Sequence, residues 1–281
     1  MLTLRTLAGM LTTYDEQEAR SIVRLLLSDC FGMTFTDICG GSLDRMSEEE
    51  HAHLMSLMRR LEEGEPVQYV TGTAEFCGRR FHVEPGVLIP RPETEELCEL
   101  ITSSLLHKAN GSESSILDIG TGSGCIAITL ALGIPGSQVS AWDISSDALS
   151  IAEVNAQVLG ASVSFELQDA LDTPSTERGR WDVIVSNPPY ICNREAAAME
   201  RNVMEHEPHL ALFVPDNDPL LFYRSITAYA AHALKDHGML FFEINPMFAN
   251  EMRDMLEDYD FSGIEIIEDC FGKKRMAKAI K

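Results

Sequence analysis

The chain has 281 residues, 45% hydrophobic and 23% charged, with 44 acidic against 22 basic side chains and a formal net charge of −22. That length allows one large or two modest domains with a full core. The acidic balance argues against a nucleic-acid backbone as the main partner and is compatible with a basic protein partner and a cationic cofactor. No apolar run approaches the roughly 18 residues that span a bilayer, and the first residues, MLTLRTLAGMLTTYDEQEAR, carry no cleavage-type secretory signal. The seven cysteines include no C-x-x-C pair and read as reduced thiols of a cytoplasmic protein. No His/Cys cluster has metal-ligand spacing, so no metal is expected: His51 and His53 are two apart, on different helical faces, and His206 and His209 read as loop residues around Glu207-Pro208.

Residues 1–63 read as a small helical bundle. Between Tyr14 and Cys30, Ala19, Ile22, Val23, Leu26 and Cys30 mark one apolar stripe. Ser47 and Glu50 form a capping box opening a second helix with Leu54, Leu57, Met58 and Leu61 on one face. Such a bundle either docks a partner or props a larger domain. Residues 64–92 are punctuated by glycine and proline and read as a linker holding a β-hairpin, Glu75–Val83, that turns near Gly78. Pro92 then opens a helix from Glu93 to about His107, with Glu93, Glu95 and Glu96 at its positive end.

From Ser115 the pattern alternates strand and helix, the signature of an α/β, doubly wound, mostly parallel sheet. Strands are expected at 116–119, 139–142, 163–167, 181–186, 238–243, 263–268 and 275–280. Helices are expected from Cys125 to Leu132, Ser146 to Leu159, Pro219 to about Lys235 and Pro246 to Glu257, with a loop after Tyr190. The first strand runs into Gly120-Thr121-Gly122-Ser123-Gly124, a turn whose glycines allow close backbone approach and whose following helix presents free N–H groups to a nucleotide. Cys125 stands where a dinucleotide fingerprint needs glycine, which disfavours an NAD enzyme. Asp143, at the tip of the second strand and 19 residues past Gly124, suits a pair of ribose hydroxyls; Asp118 can serve the loop or a cationic cofactor head.

The stretch Trp181–Tyr190, W-D-V-I-V-S-N-P-P-Y, places a rigid turn at the end of a strand buried on both faces, where open α/β sheets bind their ligands. The Asn187 side-chain oxygen and the Pro188 carbonyl can each accept one N–H, enough to hold a planar –NH2 by both hydrogens. Tyr190 adds a ring for a flat group to stack on. The plainer alternative is a Pro-Pro turn that only redirects the chain.

These motifs bring the chain to a family. With P-V-Q-Y at 66–69, A-E-F-x-G at 74–78, L-I-P-R-P-E-T-E at 88–95, D-I-G-T-G-S-G at 118–124, S-N-P-P-Y-I at 186–191, E-P-H-L-A-L at 207–212, L-F-Y-R at 221–224 and F-G-K-K-R at 271–275, it resembles the S-adenosylmethionine-dependent release factor glutamine methyltransferases of the PrmC/HemK family. The resemblance implies a seven-stranded methyltransferase domain at 93–281, a β-hairpin linker at 64–92 and a release-factor-docking helical domain at 1–63. It implies that Gly120, Thr121, Gly122, Ser123 and Gly124 contact the methionine and ribose of S-adenosyl-L-methionine, Asp143 the ribose and Asp169-Ala170 the adenine, with Asn187 also near the cofactor. Asn187 and Pro188 would hold the target amide nitrogen, Pro189 and Tyr190 would complete the substrate site, and Arg91 and Glu93 would lie where the linker folds over the pocket. The expected reaction is N5-methylation of the glutamine of a GGQ motif in peptide chain release factors. No direct nucleic-acid or membrane contact is expected.

The sequence departs from the family pattern at Ala170, at Pro215–Pro219 and at Asn245, positions expected to lie away from the transfer chemistry. Two other classes stay open: an adenine-N6 methyltransferase, because the same clamp fits an aromatic amine, and a module that binds without turnover.

Overall fold

The computed structural model describes residues 2–106 and 113–281, which divide into two units. The expected helix end near His107 lies outside the described residues.

The first unit comprises residues 1–74, 83–85 and 199–207. Its helices up to residue 74 are α1 (Leu4–Ala8), α2 (Glu16–Phe31), α3 (Phe35–Cys39), α4 (Glu48–Glu62) and α5 (Val67–Thr71). The periodic stripes do what their spacing requires: Val23, Leu26, Leu27, Leu54 and Leu61 are fully buried in one core. Ser47 caps α4, accepting the Glu50 N–H while the Glu50 carboxylate accepts the Ser47 N–H. Helix α5 falls inside the stretch that reads as linker. Pro66 precedes its first turn and Gly72, at φ 73°, ends it; the same residues that punctuate loops also bound short helices.

Next come β1 (Thr73–Phe76) and β2 (Arg79–His82), a hairpin turned at Cys77-Gly78 with both residues at positive φ (47° and 68°).

The second unit, 75–82, 86–198 and 208–281, holds the seven-stranded sheet. In chain order it carries α6 (Pro92–Leu106), β3 (Ser115–Ile119), α7 (Cys125–Gly133), β4 (Gln138–Asp143), α8 (Ser146–Leu159), β5 (Val163–Leu167), β6 (Trp181–Ser186) and β7 (Ile191–Cys192). After α9 (Arg201–His206) in the first unit, it continues with α10 (His209–Leu212), β8 (Phe213–Val214), α11 (Leu221–Ala233), β9 (Leu234–Glu243), α12 (Ala249–Asp258), β10 (Ser262–Glu268) and β11 (Lys274–Ile280). The seven-stranded order is β10-β11-β9-β6-β3-β4-β5, parallel except that β11 runs antiparallel to both its neighbours. Both faces are covered. Val183 and Val185 point into the core shared with Leu97 and Ile101 of α6 and Ile128 of α7. Ile184 points into the core shared with Tyr223 and Tyr229 of α11 and Met252 of α12. All three residues of the β-branched run are 0% exposed.

Two regions differ from the sequence expectation. Strand β9 starts at Leu234, four residues early, because Leu234 pairs with Trp181 before the register shift that leads into Met239. The stretch after Tyr190 is not simply a loop: β7 and β8 pair in parallel, Ile191 with Phe213 and Cys192 with Val214.

Gly124 sits at φ 82°, and a β-carbon there would lie 2.9 Å from Ile128 Cδ1 and 3.1 Å from Ala152 Cβ, at the contact of α7 with α8. Gly124→Ala is therefore expected to lower the unfolding free energy by about 2–4 kcal/mol, left-handed backbone and overpacking together. A urea midpoint unchanged from the parent chain would refute that packing role.

Candidate active site

At the end of β3 the chain turns through Gly120–Gly124. Gly120 (φ 76°) and Gly122 (φ 55°) leave open space where a side chain would stand. The loop is held from behind. The Trp142 carbonyl accepts the N–H groups of Gly120 and Thr121, each at 2.9 Å. Thr121 donates its hydroxyl to Asp118 Oδ2 at 2.7 Å, and the Ala127 N–H donates to the same oxygen at 3.2 Å. Asp143, at the tip of β4, accepts the Gly122 N–H on Oδ2 (2.8 Å) and the Ser145 N–H on Oδ1 (2.9 Å). Each Asp143 oxygen keeps a further lone pair for a ligand. Asn155 of α8 ties the loop to β2: its Nδ2 donates to the carbonyls of Ser123 and His82 at 2.9 Å, and its Oδ1 accepts the His82 N–H at 2.6 Å.

On the neighbouring strand, β6 ends at Ser186, whose hydroxyl donates to the Ile119 carbonyl at 2.6 Å. The N-P-P-Y turn follows at once. Asn187 Nδ2 donates to Thr94 Oγ1 at 3.3 Å. Among the described residues no hydrogen bond is made to Asn187 Oδ1 or to the Pro188 carbonyl. The Tyr190 hydroxyl donates to Glu243 Oε1 at 3.0 Å, and Thr94 Oγ1 donates to Glu243 Oε2 at 2.6 Å. Asn245 Nδ2 donates to the Tyr190 carbonyl at 3.1 Å, so one of the departures from the family pattern does touch the turn.

Both turns open on one cavity of about 390 Å³, within the size range of small-molecule sites. Gly120, Gly122 and Asp143 line one part of it, Asp169 and Ala170 a second, and Asn187, Pro188 and Pro189 a third. Exposed Ile144, Leu171 and Leu210 also line it. Thr121, Ser123, Gly124 and Tyr190 do not. Thr121 and Ser123 are buried, Gly124 packs between helices, and the Tyr190 hydroxyl is turned to Glu243. The Ala170 carbonyl is already taken by the Ser225 hydroxyl at 2.6 Å, and Asp169 Oδ1 by the Leu171 N–H at 2.8 Å. From the glycine- and proline-rich stretch the lining residues are Gly86, Val87 and Leu88, not Arg91 or Glu93. Asn155, Thr94 and Glu243 were not singled out by sequence reasoning. Asn155 could have been, as a polar residue on the apolar face of its helix.

Among the described residues no group of three or more His, Cys, Asp or Glu could hold a metal, and no helix is long and apolar enough to cross a membrane.

Residues 84–211 match the Methyltransferase small domain family and residues 3–72 the PrmC N-terminal domain family. The release factor glutamine methyltransferase of Bacteroides thetaiotaomicron is 44% identical over 266 residues, 95% of this chain and 94% of that protein. The chain belongs to the release factor glutamine methyltransferase family. The protein of that name from Flavobacterium psychrophilum is 39% identical over 96% of this chain and 94% of its own length. Among solved structures, the 16S rRNA N2 G1207 methyltransferase of T. thermophilus superposes with a TM-score of 0.54 at 20% identity, over 74% of this chain and 49% of that one. The methyltransferase fold of this family is the one the sheet order displays.

Asp118 is fully buried, and its Oδ1 has no partner among the described residues. Burial pushes its carboxyl up to about 7, against the lowering effect of the Thr121 and Ala127 donors. A carboxyl raised on folding binds its proton in the native state before the unfolded one, so its contribution to stability falls as the pH rises from about 4 to about 7. Asp118→Asn removes that titration. Urea unfolding of both proteins at pH 5 and pH 8 should show the parent losing about 1–4 kcal/mol relative to the variant; a constant gap between them rejects the buried-acid reading.

Proposed function

We propose that this chain transfers the methyl group of S-adenosyl-L-methionine to the side-chain amide nitrogen of a glutamine, the GGQ glutamine of peptide chain release factors. The single observation that carries the reading is the pair of unused acceptors, Asn187 Oδ1 and the Pro188 carbonyl, at the cavity that Gly120, Gly122 and Asp143 also line.

The residues suit the cofactor. Two glycines without side chains leave room for the backbone to approach it closely, and Asp143 retains acceptor capacity for a ribose diol. Asp169, whose Oδ2 accepts no hydrogen bond among the described residues, and the Ala170 N–H suit an adenine edge. When bound, S-adenosyl-L-methionine supplies an electrophilic methyl group on a positively charged sulfur. The chain's task is then to present a weak nucleophile. An amide nitrogen has its lone pair delocalised into the carbonyl; accepting both of its hydrogens at Asn187 and Pro188 raises its electron density and turns that lone pair toward the methyl carbon. The N–C bond would form as the S–C bond breaks, with that electron pair staying on sulfur as a neutral thioether. The alkylated amide nitrogen, now strongly acidic, would give one N–H proton to water, so no strong side-chain base is needed.

In this reading Tyr190 acts as a wall of the turn rather than through its hydroxyl, which is committed to Glu243. We assign residues 1–63 to release-factor docking, 64–92 to the linker and 93–281 to methyl transfer. A release-factor substrate places the protein in the cytoplasm. The adenine-N6 alternative is not favoured, because the relatives matched along nearly the whole chain carry the release-factor name and the net charge is −22.

Labelled S-adenosyl-L-methionine incubated with the protein and a purified release factor should place label on the factor's GGQ glutamine, and none on a factor with that glutamine replaced by alanine. Label on DNA instead would overturn the reading. Asn187→Ala should lower kcat by roughly 10²–10³-fold while equilibrium binding of S-adenosyl-L-methionine stays measurable.

A further inference from the structure

The motif P-R-P-E-T-E contributes one buried hydroxyl to the site. Thr94, in the first turn of α6, is 3% exposed and stands between Asn187 and Glu243. Glu243, at the end of β9, is 2% exposed and accepts two hydroxyl protons, from Thr94 at 2.6 Å and from Tyr190 at 3.0 Å. One buried carboxylate thus holds the N-P-P-Y turn at both ends, directly at Tyr190 and through Thr94 at Asn187.

A primary amide looks nearly the same when rotated by 180° about its last bond, so something must decide whether Asn187 offers oxygen or NH2 to the cavity. Thr94 and Tyr190 each donate to a different oxygen of Glu243, so the carboxyl acts as an acceptor at both. The Thr94 proton is therefore committed to Glu243, and Thr94 Oγ1 has only lone pairs left for Asn187. An oxygen of Asn187 facing those lone pairs would be repelled, whereas its NH2 donates to them, as observed at 3.3 Å. We propose that Thr94 and Glu243 are positioning residues: the short Thr94–Glu243 bond sets the rotamer of the Asn187 amide, leaving Oδ1 as the acceptor for the substrate nitrogen. The inference rests on the amide-clamp reading above. With the amide reversed, Asn187 would present N–H groups to the substrate –NH2, and the clamp would lose one of its two acceptors.

Thr94→Val keeps the shape and removes the lone pairs; Thr94→Ser keeps them. Glu243→Gln introduces an NH2 that can donate to Thr94, freeing the threonine proton to point at Asn187 and allowing the reversed amide. With the full-length chain, labelled S-adenosyl-L-methionine and release factor, Thr94→Val and Glu243→Gln should each lower kcat about 10- to 100-fold. Cofactor Kd should stay within about threefold and the release-factor KM should change little, because the clamp acts on the reacting atom. Thr94→Ser should return kcat to within about threefold of the parent, and the Val/Gln double variant should be no worse than either single one, since both remove the same constraint.

A second readout needs no substrate. In the ¹⁵N spectrum of the side-chain amides, one Asn187 Nδ2 proton should be protected from exchange in the parent and in Thr94→Ser, and unprotected in Thr94→Val. If Thr94→Val fails to fold, Glu243→Gln and Thr94→Ser carry the test. Near-parental kcat in Thr94→Val or, where that variant does not fold, in Glu243→Gln would overturn the inference; so would failure of serine to rescue, or an unprotected Asn187 amide in the parent. A parent that labels no release factor defeats the proposed function itself, and the amide spectrum then still decides the orientation.

Discussion

Ile119 and Ser186 stand opposite each other in the parallel β3–β6 pair, and the Ser186 hydroxyl closes on the Ile119 carbonyl at 2.6 Å. Everything at the site hangs from that register. One residue further along β3 the glycine turn begins; one residue further along β6 stands Asn187. The two turns leave the sheet at the same level from adjacent strands, where the strand order divides, with β4 and β5 on one side and β9, β11 and β10 on the other. A slip of one residue would swap the faces of Val183, Ile184 and Val185, all fully buried, so the packing of both cores guards the spacing of the two turns.

Within this frame two acids are buried close to the chemistry and are handled differently. Asp118 takes two donors on Oδ2 and, among the described residues, none on Oδ1, and burial favours its neutral form. Glu243 takes a hydroxyl proton on each oxygen. Burial raises its carboxyl, while those two hydroxyls and the nearby positive charge of Arg275 oppose the rise. Burial likewise pushes the Tyr190 phenol far up, as does the negative charge of Glu243, so Tyr190 keeps its proton and donates it. Hydroxyl donors rather than a direct ion pair suit an element whose work is orientation, because each hydrogen bond carries a direction that a point charge lacks.

Much of this was legible in the sequence because it is local. The β-branched run at 183–185, the spacing of the glycines at 120–124, the Ser47–Glu50 capping box and the positions of the last two strands each depend on residues a few positions apart. What was not legible is non-local. Thr94 and Glu243 are 149 residues apart in the chain, and Tyr190 reads as a stacking ring until the structure turns its hydroxyl to Glu243. Thr121 sits between two cavity-lining glycines and Ser123 follows the second, yet both side chains are buried. The β7–β8 pair was missed because its strands are two residues long and 20 residues apart, too short for any period to show. Asn245 read as a neutral departure because its partner, the Tyr190 carbonyl, lies 55 residues away in the N-P-P-Y turn.

In the proposed reading, the clamp of Asn187 and Pro188 recognises a planar –NH2 and nothing beyond it. Two acceptors cannot tell the amide of a glutamine from the amino group of an aromatic base, so the choice of substrate has to come from surfaces around the turn. Glu243 cannot supply it: it is buried at 2% exposure, does not line the cavity, and meets the hydroxyls of Thr94 and Tyr190 rather than a substrate. Beyond Asp143 and Asp169, the rest of the cavity lining carries no charge: Ser145 and Gln168 are polar, while Leu88, Ile144, Leu171 and Leu210 offer apolar contact only. Apolar contacts of that kind discriminate weakly, by about one to three kcal/mol for a methylene. Strict selection of one glutamine in one class of protein therefore requires recognition away from the reacting nitrogen, and in the proposed division of labour that falls to the N-terminal helical unit, while the N-P-P-Y turn is left free to do chemistry alone.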